Sequence, residues 1–177
     1  PPIITQLRRQ HPHLRVELIL SNRLIDLLQL EADIAVRMVR PSQAQLLARR
    51  VGLIEVGLYA RDDYLQQHGI PLLMHDLVGH SVIGFDQESA FIRSLPIEGF
   101  DRSVVAISSD SDLAQLALIR AGAGIGGCQV QLAKQTPSLQ RVLPDAFAFK
   151  MDTWVTMHED LRNSPRCRVT FDALVQG

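Results

Sequence analysis

Three polar side chains could hold a small anion in the stretch Ser21-Asn-Arg-Leu-Ile-Asp-Leu-Leu-Gln-Leu-Glu-Ala-Asp-Ile-Ala-Val-Arg37. Ser21 and Asn22 follow an alternating apolar run and precede a helical pattern, and Arg37 ends a short β-branched run. This order predicts a β-α-β unit, in which unpaired N–H groups and the helix dipole favour an anion at the helix amino terminus. The alternative is that Ser21 and Asn22 only cap the helix and Arg37 only forms a surface ion pair.

A second polar segment, Ser108-Ser-Asp-Ser-Asp112, separates a predicted strand from a predicted helix. Ser109 or Ser111 can cap that helix, and its remaining N–H groups could then face a ligand. Capping alone is the alternative role of these serines. We therefore treat the segment as a second candidate for ligand binding.

The glycine segment Gly122-Ala-Gly-Ile-Gly-Gly127 matches the GxGxxG pattern of dinucleotide-binding proteins. That fingerprint must follow a strand and open a helix, whereas here the glycines follow a predicted helix over 112–120. We interpret them as a helix end and a turn into a strand. No cofactor is expected.

Histidine and cysteine residues show no spacing that indicates a metal site or a catalytic nucleophile. His11 with His13, and His75 with His80, lack an obvious third ligand. Cys128 has no neighbouring histidine in the sequence, and no GxSxG motif occurs. Cys128 and Cys167 are expected to be buried free thiols. We expect no catalytic residue and no bound metal.

Apolar periodicity predicts the elements that carry these groups. Helices are expected over residues 3–10, after Asn22, and over 62–68, 72–77, 112–120 and 164–175. Strands are expected over 14–20, 33–37, 46–49, 51–59, 81–85, 104–108 and 147–157. This alternation predicts an α/β fold with a mostly parallel sheet and two lobes: residues 1–53 with 150–177, and residues 54–149. A cleft between two such lobes is a favoured place for a small ligand.

Composition limits the class of protein. The 177 residues are 46% hydrophobic, and eighteen Lys and Arg against nineteen Asp and Glu give a net charge of −1. This balance lacks the basic surface that binds nucleic acid. No run approaches the roughly 18 apolar residues of a membrane span, and the start does not resemble a signal peptide. We therefore expect a cytoplasmic protein without membrane contact.

The chain resembles the effector-binding (substrate-binding) domain of LysR-type transcriptional regulators over nearly its whole length. The order and spacing of several short motifs carry the resemblance: Leu7-Arg-Arg-Gln-His-Pro12, Asp33-Ile-Ala-Val-Arg37, Asp63-Tyr-Leu-Gln-Gln-His-Gly-Ile-Pro71, Asp76-Leu77, Ala121-Gly-Ala-Gly-Ile125, Trp154-Val-Thr-Met-His158, Leu161-Arg162 and Pro165-Arg-Cys-Arg168. Gln129 departs from the pattern, because the family generally has proline after the glycine loop.

The resemblance implies a two-lobed, periplasmic-binding-protein-like (type 2) fold with a small effector between the lobes. It implies homodimers or homotetramers that contact DNA through an amino-terminal helix-turn-helix. That helix-turn-helix, and the first strand of the domain, are expected to lie outside this chain. By position, the effector-binding groups would be Ser21, Asn22, Arg37, Gly84, Phe85, Ser109, Ser111 and Cys128. The effector could be a small carboxylate, although Asp110 and Asp112 would repel a highly charged anion.

Two other classes remain open. A solute-binding protein of the same fold, feeding a transporter, would require a secretory leader. An enzyme of this architecture would require an acid–base or nucleophile pair across the cleft, and the sequence suggests none.

Overall fold

A computed structural model of the chain describes residues 1–22, 27–29, 31–86 and 102–177. It begins with helix α1 (Pro2–Gln10), as the sequence predicts. Proline in the first turn loses no hydrogen bond, because the N–H groups there have no partner within the helix. The helix buries Leu7, which is 1% exposed, and ends before the His11-Pro12 pair that disfavours helix.

The strand predicted over residues 14–20 is not formed. This segment has no regular secondary structure and joins no ladder, and Leu18, Ile19 and Leu20 are 57%, 52% and 65% exposed. Alternating apolar residues favour a strand only when a neighbouring strand takes up the backbone hydrogen bonds. The helix predicted after Asn22 falls largely on residues 23–26 and 30, which lie outside the described residues.

The backbone contacts divide the chain into two units, Pro1–Leu53 with Met151–Gly177, and Ile54–Lys150. In the first unit, strand β1 (Ile34–Arg37) pairs antiparallel with strand β7 (Ala148–His158), and Ile34 lies opposite Met157. Helix α5 (Pro165–Gln176) buries Cys167 and Phe171 in a cluster that also holds Val155 and Met157. This cluster is the core of the first unit.

The elements of the second unit come in the predicted order, with three additions: a 3-10 turn, a short helix and a strand. Their bounds are β2 (Leu46–Arg61, which begins in the first unit), α2 (Asp62–His68), a 3-10 helix (Met74–Gly79), β3 (Val82–Gly84), a 3-10 turn (Arg102–Val104), β4 (Val105–Ser108), α3 (Asp112–Arg120), β5 (Ile125–Gln129), α4 (Val130–Ala133) and β6 (Leu139–Val142). The sequence pattern did not predict α4 or β6. It also split β2 in two, whereas the strand is continuous.

The sheet is mixed rather than mostly parallel. Strand β3 pairs parallel with β4 and β5, but β2 pairs antiparallel with β5 and β6. Strands that lie far apart along the chain, as β2 and β5 do, can pair in either direction, and an alternation of strands and helices does not reveal which direction they take. Two apolar clusters fill this unit, one around Leu58 and Val82 and the other around Ile83 and Ile119.

The glycine segment is a turn between α3 and β5, as interpreted from its order in the sequence. Gly122 has a φ of +78°, a left-handed conformation that favours glycine. A Cβ on Gly124 would lie 2.0 Å from the carbonyl oxygen of Ser81. The segment is therefore closely packed, and it follows a helix and opens a strand, the reverse of the order in the dinucleotide fingerprint. Within the described part of the chain, no helix is long and apolar enough to cross a bilayer.

Candidate functional site

The adjacent ends of β3 and β4 bring several predicted residues together in the second unit. The backbone N–H of Ser109 donates to the carbonyl oxygen of Gly84 at 2.9 Å. A Cβ on Gly84 would lie 3.1 Å from Cγ2 of Val105 on the neighbouring strand, so little space is available for a side chain here. Phe85 follows directly and is half-buried. Gly84, Phe85 and Ser109 therefore form one local group.

Asp86 joins the two segments that follow these strands. Its backbone N–H donates to Oδ1 of Asp110 at 3.0 Å, and Oγ of Ser108 donates to Oδ1 of Asp86 at 3.3 Å. Sequence reasoning missed Asp86. Its position after a strand end, like that of Asp110 after β4, is the signal that could have found it.

Ser111 caps helix α3, and Ser109 supports that cap. Oγ of Ser111 accepts from the N–H of Ala114 at 3.3 Å, and Oγ of Ser109 accepts from the N–H of Ser111 at 3.2 Å. In both bonds the hydroxyl oxygen is the acceptor, so its hydrogen can still be donated. Capping and ligand binding are therefore compatible roles for these two serines.

Gln115 of helix α3 holds the same segment by a hydrogen bond to its backbone. Its Nε2 donates to the carbonyl oxygen of Ser109 at 2.6 Å, and the residue is only 4% exposed. A buried amide that holds a loop carbonyl restrains the backbone at that point. Sequence reasoning missed Gln115. The signal that could have indicated it is a polar glutamine between apolar alanine and leucine residues of a predicted helix.

Three carboxylates lie in or next to this segment among the described residues. Asp86, Asp110 and Asp112 are all exposed, and each also makes interactions within the chain.

Cys128 lies in a different environment of the same unit. It is 6% exposed and packs with Tyr59, Ile83 and Ile119 in an apolar cluster. Burial raises the pKa of its thiol, and the smaller effect of the Arg120 charge opposes that rise. The structure thus places Cys128 among core side chains and not among the hydrogen-bonding groups at the strand ends. Its predicted contact with an effector stays a prediction. Both cysteines are free and buried, as expected.

Gln129 stands where the related sequences generally have proline, and the backbone explains why the exchange is accommodated. It ends β5 and precedes α4 with a φ of −64°. This is the angle that a proline ring would impose. The φ angle at Gln129 is therefore one that a proline could also adopt.

Ser21, Asn22 and Arg37 belong to the first unit. Ser21 and Asn22 are exposed, and the helix they were expected to cap lies mostly outside the described residues. Arg37 is half-buried and lies opposite Trp154 in the β1–β7 ladder. All three residues interact with other groups of the chain. Their role in effector binding stays a prediction.

The described ranges contain no group of three or more His, Cys, Asp or Glu side chains that could hold a metal ion. His11 and His13 are exposed, and His75 and His80 lie at the two ends of the 3-10 helix Met74–Gly79.

Comparison with known proteins identifies the family of this chain. The model of the LysR substrate binding domain matches residues 1–177. The HTH-type transcriptional regulator CrgA of Neisseria meningitidis serogroup C (strain 8013) is 31% identical over 86 residues, 49% of this chain and 29% of that protein. The probable HTH-type transcriptional regulator LtrA of Klebsiella pneumoniae is 25% identical over 183 residues, 98% of this chain and 59% of that protein. The matches thus span less than two thirds of these relatives.

Solved structures show the same fold. The regulatory domain of CrgA from Neisseria meningitidis superposes with a TM-score of 0.85 at 23% identity, covering 99% of this chain and 89% of that one. Full-length AphB, the virulence activator of Vibrio cholerae, superposes with a TM-score of 0.76 at 22% identity, covering 99% of this chain and 62% of that one. These likenesses identify the two-lobed, periplasmic-binding-protein-like α/β fold.

Proposed function

Since this chain belongs to the LysR substrate-binding-domain family, we propose that it senses a small effector for a DNA-binding transcriptional regulator. The observation that carries the proposal is the family match over residues 1–177. The descriptions of CrgA and LtrA as transcriptional regulators support it. They favour a regulator over a solute-binding protein that feeds a transporter, the alternative left open by the sequence.

We propose that the effector is bound at the segment that follows β3 and β4. Ser109 and Ser111 would donate their hydroxyl hydrogens to it, Phe85 would provide an apolar contact, and the small Gly84 would permit close approach. The carboxylates of this segment favour a neutral or singly charged molecule, which includes a small monocarboxylate. Ser21, Asn22, Arg37 and Cys128 are further proposed contacts.

The response to the effector would be a population shift. A ligand that binds one arrangement of the domain more tightly than another changes their ratio by that difference in affinity. In a homodimer or homotetramer, such a shift would alter the spacing of the DNA-reading helices. We propose that DNA is bound by an amino-terminal helix-turn-helix of the intact protein and that the protein acts in the cytoplasm. We propose no catalytic activity.

A thermal-shift screen with a panel of small monocarboxylates and neutral metabolites tests the proposal. A molecule that binds the native state raises Tm, and one at about 100 times its Kd stabilises by roughly 2.7 kcal/mol. Failure of the whole panel, together with a gene that encodes no helix-turn-helix before Pro1, would overturn it.

The variant Ser111→Asp locates the site for any molecule that the screen identifies. Aspartate caps a helix as well as serine does, but at neutral pH it has no hydrogen to donate and adds a negative charge. We expect helix α3 to remain intact and affinity to fall about tenfold or more, the loss of one good hydrogen bond. Ser164→Asp, at the cap of α5 in the first unit, is the matched control and should leave affinity unchanged. Equal effects of both variants would place the ligand elsewhere.

An enzyme remains the second alternative class. Steady turnover of a candidate substrate that disappears in Cys128→Ala would support it. The raised pKa of the buried Cys128 thiol argues against a reactive thiolate, since the thiolate is the nucleophilic form.

A further inference from the structure

The amino end of β3 is held by a tyrosine hydroxyl from helix α2. Oη of Tyr64 accepts from the backbone N–H of Ser81 at 2.9 Å and lies 3.3 Å from Nδ1 of His80. Tyr64 is only 5% exposed. The N–H of Ser81 uses one lone pair of this hydroxyl oxygen and leaves the tyrosine hydrogen for another acceptor. Nδ1 of His80 can be that acceptor when the ring proton of His80 is on Nε2.

The carbonyl group of Ser81 is also held, by a hydrogen bond and by close packing. Its oxygen accepts from the N–H of Ile125, the first residue of β5, at 2.9 Å. Gly124 packs so closely against the same carbonyl that a side chain would overlap it. The hydroxyl of Tyr64 thus fixes the residue on which the parallel pairing of β3 with β5 begins.

Charged and titratable groups from two elements face His80. From α2, the ring of Tyr64 has its centroid 5.9 Å from that of His80 and stacks on His68 at 4.3 Å. His68 places its Nδ1 3.0 Å from the carbonyl oxygen of Tyr64, so it can take a proton on Nε2 without losing that bond. From the 3-10 helix, Asp76 acts on His80 with its charge and is itself influenced by His75.

We propose that Tyr64 and His80 form a proton-sensitive latch on the amino end of β3. A proton on Nδ1 of His80 turns that atom from an acceptor into a donor. The tyrosine hydrogen then has to turn away from His80, and a positive charge is placed in a partly buried position. Acidification thereby loosens Ser81 and the start of the β3–β5 pairing. The latch does not depend on the identity of an effector.

The direction of the pH effect follows from the surroundings of His80. Burial, and then the charge of His68, hold the pKa of His80 below its ordinary value, although Asp76 acts in the opposite sense. The unfolded chain therefore binds this proton more readily than the folded chain does. The stabilisation is present above the unfolded pKa and is lost as pH falls from about 6.5 towards the folded value.

An NMR titration with amide hydrogen exchange tests the latch on the 177-residue chain. We expect His80 to titrate below the ordinary histidine pKa of about 6.5. We also expect protection of the Ser81 and Ile125 amides, corrected for intrinsic exchange, to fall between pH 7.5 and 5.5. In His80→Gln the amide oxygen can still accept from Tyr64 but does not titrate, so this fall should disappear. His75→Gln is the matched control and should retain it.

Three results would overturn the proposal. They are a pKa of His80 at or above the ordinary histidine value of about 6.5, an unchanged loss of protection in His80→Gln, and a loss abolished equally by His75→Gln. Should His80→Gln fail to fold, the titration and exchange of the unaltered chain decide the question.

Discussion

The two ends of strand β3 are built differently. At its amino end, Ser81 is held between the buried hydroxyl of Tyr64 and the glycine turn at Gly124. At its carboxyl end, Gly84 accepts a backbone hydrogen bond of 2.9 Å from Ser109, and the exposed Asp86 is joined to Asp110 and Ser108 at 3.0 and 3.3 Å. The amino end is held by close packing and a buried tyrosine, whereas the carboxyl end is held by short polar side chains. A strand held firmly at one end can present polar groups at the other without losing its place in the sheet.

The largest effect should come from enlarging the close contact at the amino end. Gly124→Ala would force its Cβ to within 2.0 Å of the Ser81 carbonyl oxygen unless the backbone moves. We expect a loss of roughly 3 kcal/mol or more in the free energy of unfolding, measured in urea. Gly127→Ala is the control, because its Cβ would meet only Val56 at 3.9 Å. Similar losses for both variants would show that the amino end is not specially packed.

Tyr64→Phe should have the next largest effect. It leaves the N–H of Ser81 without its acceptor and removes a contact of His80. A buried donor left unsatisfied costs about 1–3 kcal/mol. Chemical denaturation of the variant measures this directly. A change below about 0.5 kcal/mol would mean that water replaces the hydroxyl.

At the carboxyl end, Ser111→Ala should cost about 1 kcal/mol, the usual value of a helix cap. Ser164 makes the better control, since it occupies the same position before α5 but its side chain makes no capping bond. Ser164→Ala should therefore change the free energy of unfolding by less than about 0.5 kcal/mol. If Ser164→Ala proved as costly, capping would not distinguish the two serines.

The smallest effect concerns reactivity and not stability. Burial raises the pKa of the Cys128 thiol, so little of it is thiolate at neutral pH. Alkylation by iodoacetamide, followed by mass spectrometry, should be at least about tenfold slower in the native chain than in urea. Equal rates in the native chain and in urea would show that folding does not protect Cys128 from the reagent.

Sequence patterns predicted the elements whose signals are local. Helix α3 is capped by Ser111, and α2 ends at Gly69 with a φ of +85°, both as the residue types indicate. The pattern failed where a partner decides the outcome. The segment 14–20 alternates but joins no ladder, and the exposed Arg49 and Arg50 interrupted the apolar pattern of β2 without interrupting the strand.

In the candidate site, too, the sequence predicted local features and missed contacts between residues far apart in the chain or turned inward. The serines before α3 stand out because a cap is a local feature. The bonds from Asp86 to Asp110 and from Gln115 to Ser109 depend on how distant or inward-facing groups meet, which a single sequence does not reveal. The proton-sensitive contact of His80 with Tyr64 also joins two elements, so the spacing of the histidines could not indicate it.

Gln129 has a consequence for the unfolded chain. Its φ of −64° gives the folded backbone the shape that proline would impose, yet without a ring the unfolded chain is free to sample many other angles there. Folding therefore removes more conformational entropy at Gln129 than it does at a proline in the same place. Two relatives with the same native backbone can thus differ in stability through a state that neither structure shows.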